Sequence, residues 1–188
     1  MARLALLAAV VLLVASACGG STSETHGGSG TVSADGQVGA LRIDSSTRAD
    51  IGRFAGRPDV DVVDHTSWPG VPEYRALGYG CEDGDSVGVD TGAKSAHRFC
   101  RTVYYVNSQT DRLVAFWTDS RDFRTTNGIR PGMAQKAADR REHQTPHGPW
   151  KAIGEASSTA DLILPSYLGK VEEFMLESRH HPIGLTFT

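Results

Sequence analysis

The sequence predicts an α+β fold: short helices packed on antiparallel sheet, in two tandem helix-then-strands units. Three observations carry that expectation. Residues 47–55 have the start, spacing and stop of a short helix. Residues 101–118 have the pattern of a β-hairpin. A second helix-favouring run at 134–142 is again followed by strand-like segments, which suggests units at about 40–120 and 121–188.

In the first helix, Thr47 and Asp50 stand at capping-box spacing, a hydroxyl for the N-cap and a carboxylate in the first turn. Ile51, Phe54 and Ala55 then recur on one helical face, and Gly56-Arg57-Pro58-Asp59 stops the helix. Residues 59–92 are rich in Gly, Pro and Asp, with short strands expected at 60–63 and 79–81. The hairpin follows. Residues 101–106 and 113–118, β-branched and aromatic, flank the polar turn Asn107-Ser108-Gln109-Thr110-Asp111-Arg112. Apolar groups on both of its faces imply that one side packs on a helix and the other is at least partly covered. In the second unit, Ala, Lys and Arg favour a helix over 134–142, and Pro146 and Gly148-Pro149 end it. Strands are expected at 160–164, 170–176 and 183–187; Val171, Phe174 and Leu176 do not alternate, which implies a bulge or a register ambiguity.

The N-terminus speaks of compartment. Arg3, an apolar run over 4–14 and the small residues Ala15-Ser16-Ala17 form a signal peptide over 1–17, ending at Cys18-Gly19-Gly20. The arrangement resembles a bacterial lipobox, which implies that Cys18 carries palmitate-type acyl chains and becomes the mature N-terminus. The rival reading is a plain cleaved signal that contains a cysteine. About 14 apolar residues are too few to span a bilayer. The expected location is therefore the cell membrane, lipid-anchored on the extracytoplasmic face. Residues 18–39 are nearly all Gly, Ser, Thr, Asp and Ala, with no aromatic, and read as the lipidated Cys and a disordered tether. The globular domain is then expected over 40–188.

Cys81 and Cys100 are the remaining cysteines, an even pair in an oxidising compartment. A disulfide between them would close a loop of about 20 residues, worth about 3 kcal/mol in the chain-entropy picture. Two thiolates so spaced, with no C-x-x-C partner, do not match a zinc framework. A net charge of −3 argues against nucleic acid as a partner.

Thr47-Arg48-Ala49-Asp50-Ile51 through Phe54, with Gly56-Arg57-Pro58-Asp59, resembles the helix motif of the small outer-membrane lipoprotein (SmpA/OmlA) family. Gly128-Ile129-Arg130-Pro131-Gly132-Met133 is similar to that family's Gly-Met lead into a helix, without the Gly-x-Pro stop. Tandem copies of such a unit also resemble the β-lactamase-inhibitor-protein architecture, in which a bridge is placed much as Cys81 and Cys100 are. The chain is similar, too, to lipoproteins of actinobacteria. These motifs cover about 30 residues, and a shared fold does not carry function with it. No functional residue is transferred.

Catalytic motifs find little support. His143 and His147 are at i, i+4, but Pro146 interrupts any shared helix. His180 and His181 are adjacent and would face opposite sides of a strand, and His65 and His97 sit in loops. Glu82-Asp83-Gly84-Asp85 with Asp90 suggests a calcium loop, yet Val87 and Lys94 occupy positions that need oxygen ligands. Gly84-Asp85-Ser86-Val87-Gly88 spells G-x-S-x-G, but it falls in the irregular Gly-, Pro- and Asp-rich region and not at an expected strand-to-helix turn; no phosphate-binding glycine motif is present, and no cysteine is left over as a nucleophile. Glu172 and Glu173, read as neighbours on a strand, would face opposite ways and protect an edge.

Surface recognition remains. Aromatic residues crowd the first half, and Trp and Tyr are the usual anchors of protein interfaces. Trp68, Tyr74 and Tyr79 are the candidate protein-binding residues, although the core is the commoner place for any one of them. The expectation is a non-catalytic envelope lipoprotein, with no cofactor and no metal, that binds another envelope or exported protein. An inhibitor-like module against an exported hydrolase is the alternative, and a His-dependent hydrolase comes third.

Overall fold

The computed structural model of the chain describes residues 27–64, 73–83, 98–142 and 153–183. Residues 1–17, Cys18, His65, Trp68, His97, His143 and His147 lie outside the described residues. In chain order the elements are β1 (Gly30–Ser33), β2 (Gln37–Val38), β3 (Leu41–Arg42), α1 (Arg48–Ala55), β4 (Val60–Asp64), β5 (Tyr74–Asp83), β6 (Arg98–Asn107) and β7 (Leu113–Thr118). There follow β8 (Phe123–Thr125), α2 (Gln135–Glu142), β9 (Ile153–Ala156), β10 (Ala160–Leu164), β11 (Ser166–Tyr167), β12 (Lys170–Val171) and β13 (Phe174–Ser178).

The class is α+β, with sheet dominating. A seven-stranded sheet runs β4-β5-β6-β7-β13-β10-β9, a four-stranded sheet β3-β2-β1-β8, and β11-β12 form a small hairpin. Every pair in the large sheet is antiparallel. The small sheet contains one parallel pair, β1 with β8.

Period-two alternation gives the large sheet two faces. On the inner one, Leu77, Tyr104, Phe116, Leu176 and Leu162 are successive register partners across five strands, and all are buried. Their cover is mostly a second sheet: Val32, Val38, Leu41 and Phe123 join the same core, with Ile51 and Ala55 of α1 and Ala138 of α2. The expected helix layer is thus only part of the cover. Aromatic rings link the layers, Tyr79 to Tyr104 at 5.6 Å, Tyr104 to Phe116 at 5.1 Å and Phe116 to Phe123 at 4.9 Å between centroids. Edge-on and tilted pairs at these separations suit the ring quadrupoles. Two buried hydroxyls, Thr102 and Thr118, satisfy each other at 2.9 Å.

Helix α1 starts as its sequence implies. Thr47 is the N-cap; its Oγ1 accepts from the Asp50 amide at 3.3 Å, and its amide donates to Asp50 Oδ2 at 2.8 Å. The Thr47 amide first, and then the Thr47 hydroxyl donating to the same Asp50 Oδ2 at 2.8 Å, hold the Asp50 carboxyl below its ordinary pKa. Gly56, at φ 83°, ends the helix.

The tether expected over 18–39 reaches too far, because the fold already includes residues 27–39. Val32 and Val38 are fully buried, and β1 sits between β2 and β8. Glycine here serves close approach, not looseness. A Cβ on Gly30 would come within 2.8 Å of Gly39 Cα. Gly39 has φ +58°, and a Cβ there would strike the Phe54 ring and lie 2.9 Å from the Ser29 carbonyl oxygen.

The second half is also finer-grained than its sequence suggests. The strand expected at 170–176 is broken into β12 and β13, with Glu172 and Glu173 between them. Alternation does not apply there, so the two carboxylates need not face apart. Of the strand expected at 183–187, the described part is Ile183, which packs with Val114 and Ala115 and against Tyr74 and Tyr105.

Gly39→Ala is expected to lower stability by about 1–3 kcal/mol, since alanine meets both the positive φ and the Phe54 ring. Chemical denaturation measures this; a change within error would restore the tether reading for this stretch.

Candidate binding face

On the outer face of the large sheet, Val60, Gly78, Val103, Trp117, Met175 and Ile163 are register partners across six strands. The next row runs Val62, Ala76, Tyr105 and Ala115, then Glu177 and Asp161. From β4 to β7 both rows are uncharged. Val62, Tyr74, Tyr105, Trp117, Met175 and Ile163 are half-buried, whereas the equivalent residues of the inner face are fully covered.

The disulfide anticipated from cysteine pairing belongs to this face. Cys81 and Cys100 are direct partners on β5 and β6, with the sulfurs 2.06 Å apart. They pack with Val60, Ala76 and Val103. A Cβ on Gly78 would come within 2.5 Å of Cys100 Sγ and 3.1 Å of Cys81 Sγ, so the bridge occupies the space a side chain would need. The staple therefore ties β5 to β6 on the outer side of the sheet.

Of the three expected binding residues, Tyr74 lies on this face, edge-on to Tyr105 with centroids 5.5 Å apart. Trp68 is outside the described residues. Tyr79 is a correction. It shares the parity of Leu77, is fully buried, and its hydroxyl donates to the Gly56 carbonyl oxygen at 3.3 Å. Burial pushes its pKa up to about 12. A core residue of this kind cannot anchor a partner. Tyr105 and Trp117 are the half-buried aromatic residues of β6 and β7 on this face; alternation within the hairpin separates them from Tyr104 and Phe116, but says nothing of which set faces inward.

At the β13 end the face becomes polar. Arg101, Trp117, Asp119, Arg121, Glu172 and Glu173, with Pro131 and Gly132, line an open cleft of about 300 Å³. Arg101 pairs with Asp119 at 3.4 Å, and the Trp117 indole N–H donates to the Glu173 carboxylate. Burial raises the Glu173 carboxyl above its ordinary value; the indole opposes this, while Asp119 and Glu172 add to it. Burial also raises Asp119, with Arg101 opposing. The cleft thus presents poorly solvated carboxylates beside guanidinium groups, a socket for a hydrogen-bond donor or cationic group at the margin of an apolar surface. It unites Glu172 and Glu173, which alternation on a strand would have separated.

The opposite margin is closed. Glu177, 2% exposed, accepts the Ile183 amide at 2.5 Å, and Asp161 pairs with Arg179 at 2.8 Å. His180 and His181 are exposed beyond it, and their amides donate to Ser178 Oγ at 3.1 and 3.0 Å. Among the described residues no three His, Cys, Asp or Glu side chains are grouped to hold a metal ion. No described helix is long and apolar enough to cross a membrane.

No protein-family model, curated protein or solved structure matches the chain. Function has to be read from the faces themselves.

Glu173→Gln tests the socket. A raised carboxyl pKa favours the folded state below its ordinary value of 4.5, and that advantage is lost as pH rises through the folded-state value. Near neutral pH the glutamine variant is expected to unfold at a higher temperature than the parent. The gain should be at most about 1 kcal/mol, because solvent screens a partly exposed group. Thermal unfolding across pH should show the difference shrinking below 4.5; a pH-independent difference would contradict the assignment.

Proposed function

We propose that the chain is a non-catalytic cell-envelope lipoprotein, anchored through acylated Cys18 on the extracytoplasmic side of the cell membrane. It binds another envelope or exported protein through the outer face of its large sheet. The observation that carries the binding role is the uncharged row from Val60 to Ile163, half-buried at Trp117, Met175 and Ile163 and flanked by the half-buried Tyr74 and Tyr105. Six paired strands give that surface a fixed shape, so little ordering entropy opposes association. The cleft beyond Trp117 adds carboxylates and guanidinium groups that can select one partner over another. The disulfide is at home in an oxidising compartment, and the signal-like residues before Cys18 give the anchor.

A second reading has one observation of its own. Helix α1 precedes the meander β4-β5-β6-β7, helix α2 precedes β9, β10 and β13, and the two runs meet at β7 and β13. Two related units so joined resemble the inhibitor-protein architecture, and the occupant of the face would then be an exported hydrolase.

Val62→Lys and Met175→Lys put charge on the face, where the flexible stem can keep its ammonium in water. Each is expected to weaken capture of a partner cross-linked in whole cells by at least about tenfold, with thermal unfolding little changed. Undiminished capture would move the interface elsewhere. Slowing of an exported hydrolase at nanomolar to micromolar protein would decide for the inhibitor reading, and inactivity across a panel would remove it. Cys18→Ser is expected to shift the protein from the membrane to the soluble fraction or to block its processing; unchanged retention would refute the lipid anchor.

A further inference from the structure

Tyr167 and Leu168 are the large hydrophobic side chains that stand out in solvent among the described residues, at 59% and 85% exposure. They form the tip of the β11–β12 hairpin, where Tyr167 pairs with Lys170 across the two-residue turn Leu168-Gly169. Leu168 has φ 47° and Gly169 φ 78°. Two successive positive φ angles make this a turn that ordinarily takes Asn-Gly, and a leucine rarely adopts that backbone. The tip therefore holds its most exposed apolar side chain in an unfavourable conformation, where a polar residue would fit better.

Its base is rigid. Val171 is fully buried, its amide donates to the Met133 carbonyl at 2.8 Å, and the Gln135 amide donates to the Gly169 carbonyl at 2.8 Å. The hairpin presents a fixed apolar point, not a loose loop.

Its position identifies the surface it meets. The hairpin leaves β10 after Leu164 and rejoins β13 at Phe174, whose register partners are Thr118 and, beyond it, Thr102. Gly27, the first described residue, lies against Thr102 and Tyr79, and its carbonyl accepts the Tyr104 hydroxyl at 2.6 Å. The chain thus enters the fold at the end of the large sheet from which the tip projects. Cys18 is nine residues earlier, a reach of about 30 Å even when extended.

We infer that the Tyr167–Leu168 tip is a second membrane contact, inserting Leu168 below the headgroups of the bilayer that holds Cys18. This rests on the lipid-anchor reading. Tyrosine suits the headgroup level and Lys170 can extend toward phosphates. Arg121 and Glu172 near the hairpin base give a mixed charge, so binding should depend little on salt. One acyl-linked site and one apolar tip together fix an orientation that neither imposes alone, with the outer sheet face turned sideways to the membrane.

The full-length acylated protein in phosphatidylcholine–phosphatidylglycerol vesicles, labelled with an environment-sensitive fluorophore at Leu168→Cys, tests this. Blue-shifted emission, quenched by spin-labelled lipid, is expected there; the same label at exposed Ser108→Cys, at the far end of the sheet, should report water. Water-like, unquenched emission at position 168 would overturn the proposal, and cross-linking of that position to a protein in cells would then assign the tip to a protein partner. Leu168→Asn separates role from fold. Made in the Cys18→Ser protein, it should keep or raise the unfolding temperature while lowering vesicle partition at least fivefold, and equal partition would also overturn the inference. Failure of the anchor reading is distinguishable, because it shows as membrane retention of Cys18→Ser in cells whatever stands at position 168.

Discussion

The antiparallel pairing of β7 with β13 is the contact on which the rest of the molecule depends. Each helix-led run of strands ends at this seam, and Phe116 opposite Leu176 makes one inner row from two shorter ones. Without the pairing, each run would leave an edge strand open and half of the buried row exposed. The same pairing sets Trp117 opposite Met175 on the outer side. It therefore determines the continuity of the candidate binding surface as well as that of the core, and it brings Glu173 within reach of the Trp117 indole.

How far the sequence reveals this depends on whether the information is local. The capping box of α1 is local, and Thr47 and Asp50 are where their spacing puts them. The β6–β7 hairpin is local too, and both strands appear with the turn between them. The Cys81–Cys100 partnership is legible because these are the two cysteines that follow the signal-like N-terminus. What could not be read was non-local. Gly30 and Gly39 look like linker residues until one sees that their backbones must pass within contact distance. Tyr79 looks like an anchor until the register with β6 shows it on the parity of Leu77. Glu172 and Glu173 share a cleft because Arg101, Asp119 and Arg121 arrive from distant parts of the chain.

The two faces of the large sheet show how composition alone misleads. Both are rich in Val, Ala and aromatic residues, and both would be read as buried. Among the described residues, a second sheet lies over the inner face and not over the outer one. The four-stranded layer that provides the cover is built largely from the glycine-rich residues that resemble a tether, so the least protein-like part of the composition makes the hydrophobic core possible. Buried hydroxyls are paired, Thr102 with Thr118 and Ser178 Oγ with Asp44 Oδ2 at 2.7 Å, whereas Asp44 Oδ1 is buried without a hydrogen-bond partner among the described residues.

That glycine-rich strand has a mechanical meaning. β1 lies between β2 and β8, antiparallel to one and parallel to the other, and it is the first strand after the residue where the described chain begins. Load arriving from an N-terminal attachment and directed along β1 would act on the hydrogen bonds of both flanks together, in shear, instead of peeling them one at a time from an edge. Behind it, the Tyr104 hydroxyl on the Gly27 carbonyl shares the strain with the centre of the large sheet. A pull arriving ahead of β1 would thus be spread over two strand pairings and the centre of the large sheet before it reached the outer sheet face.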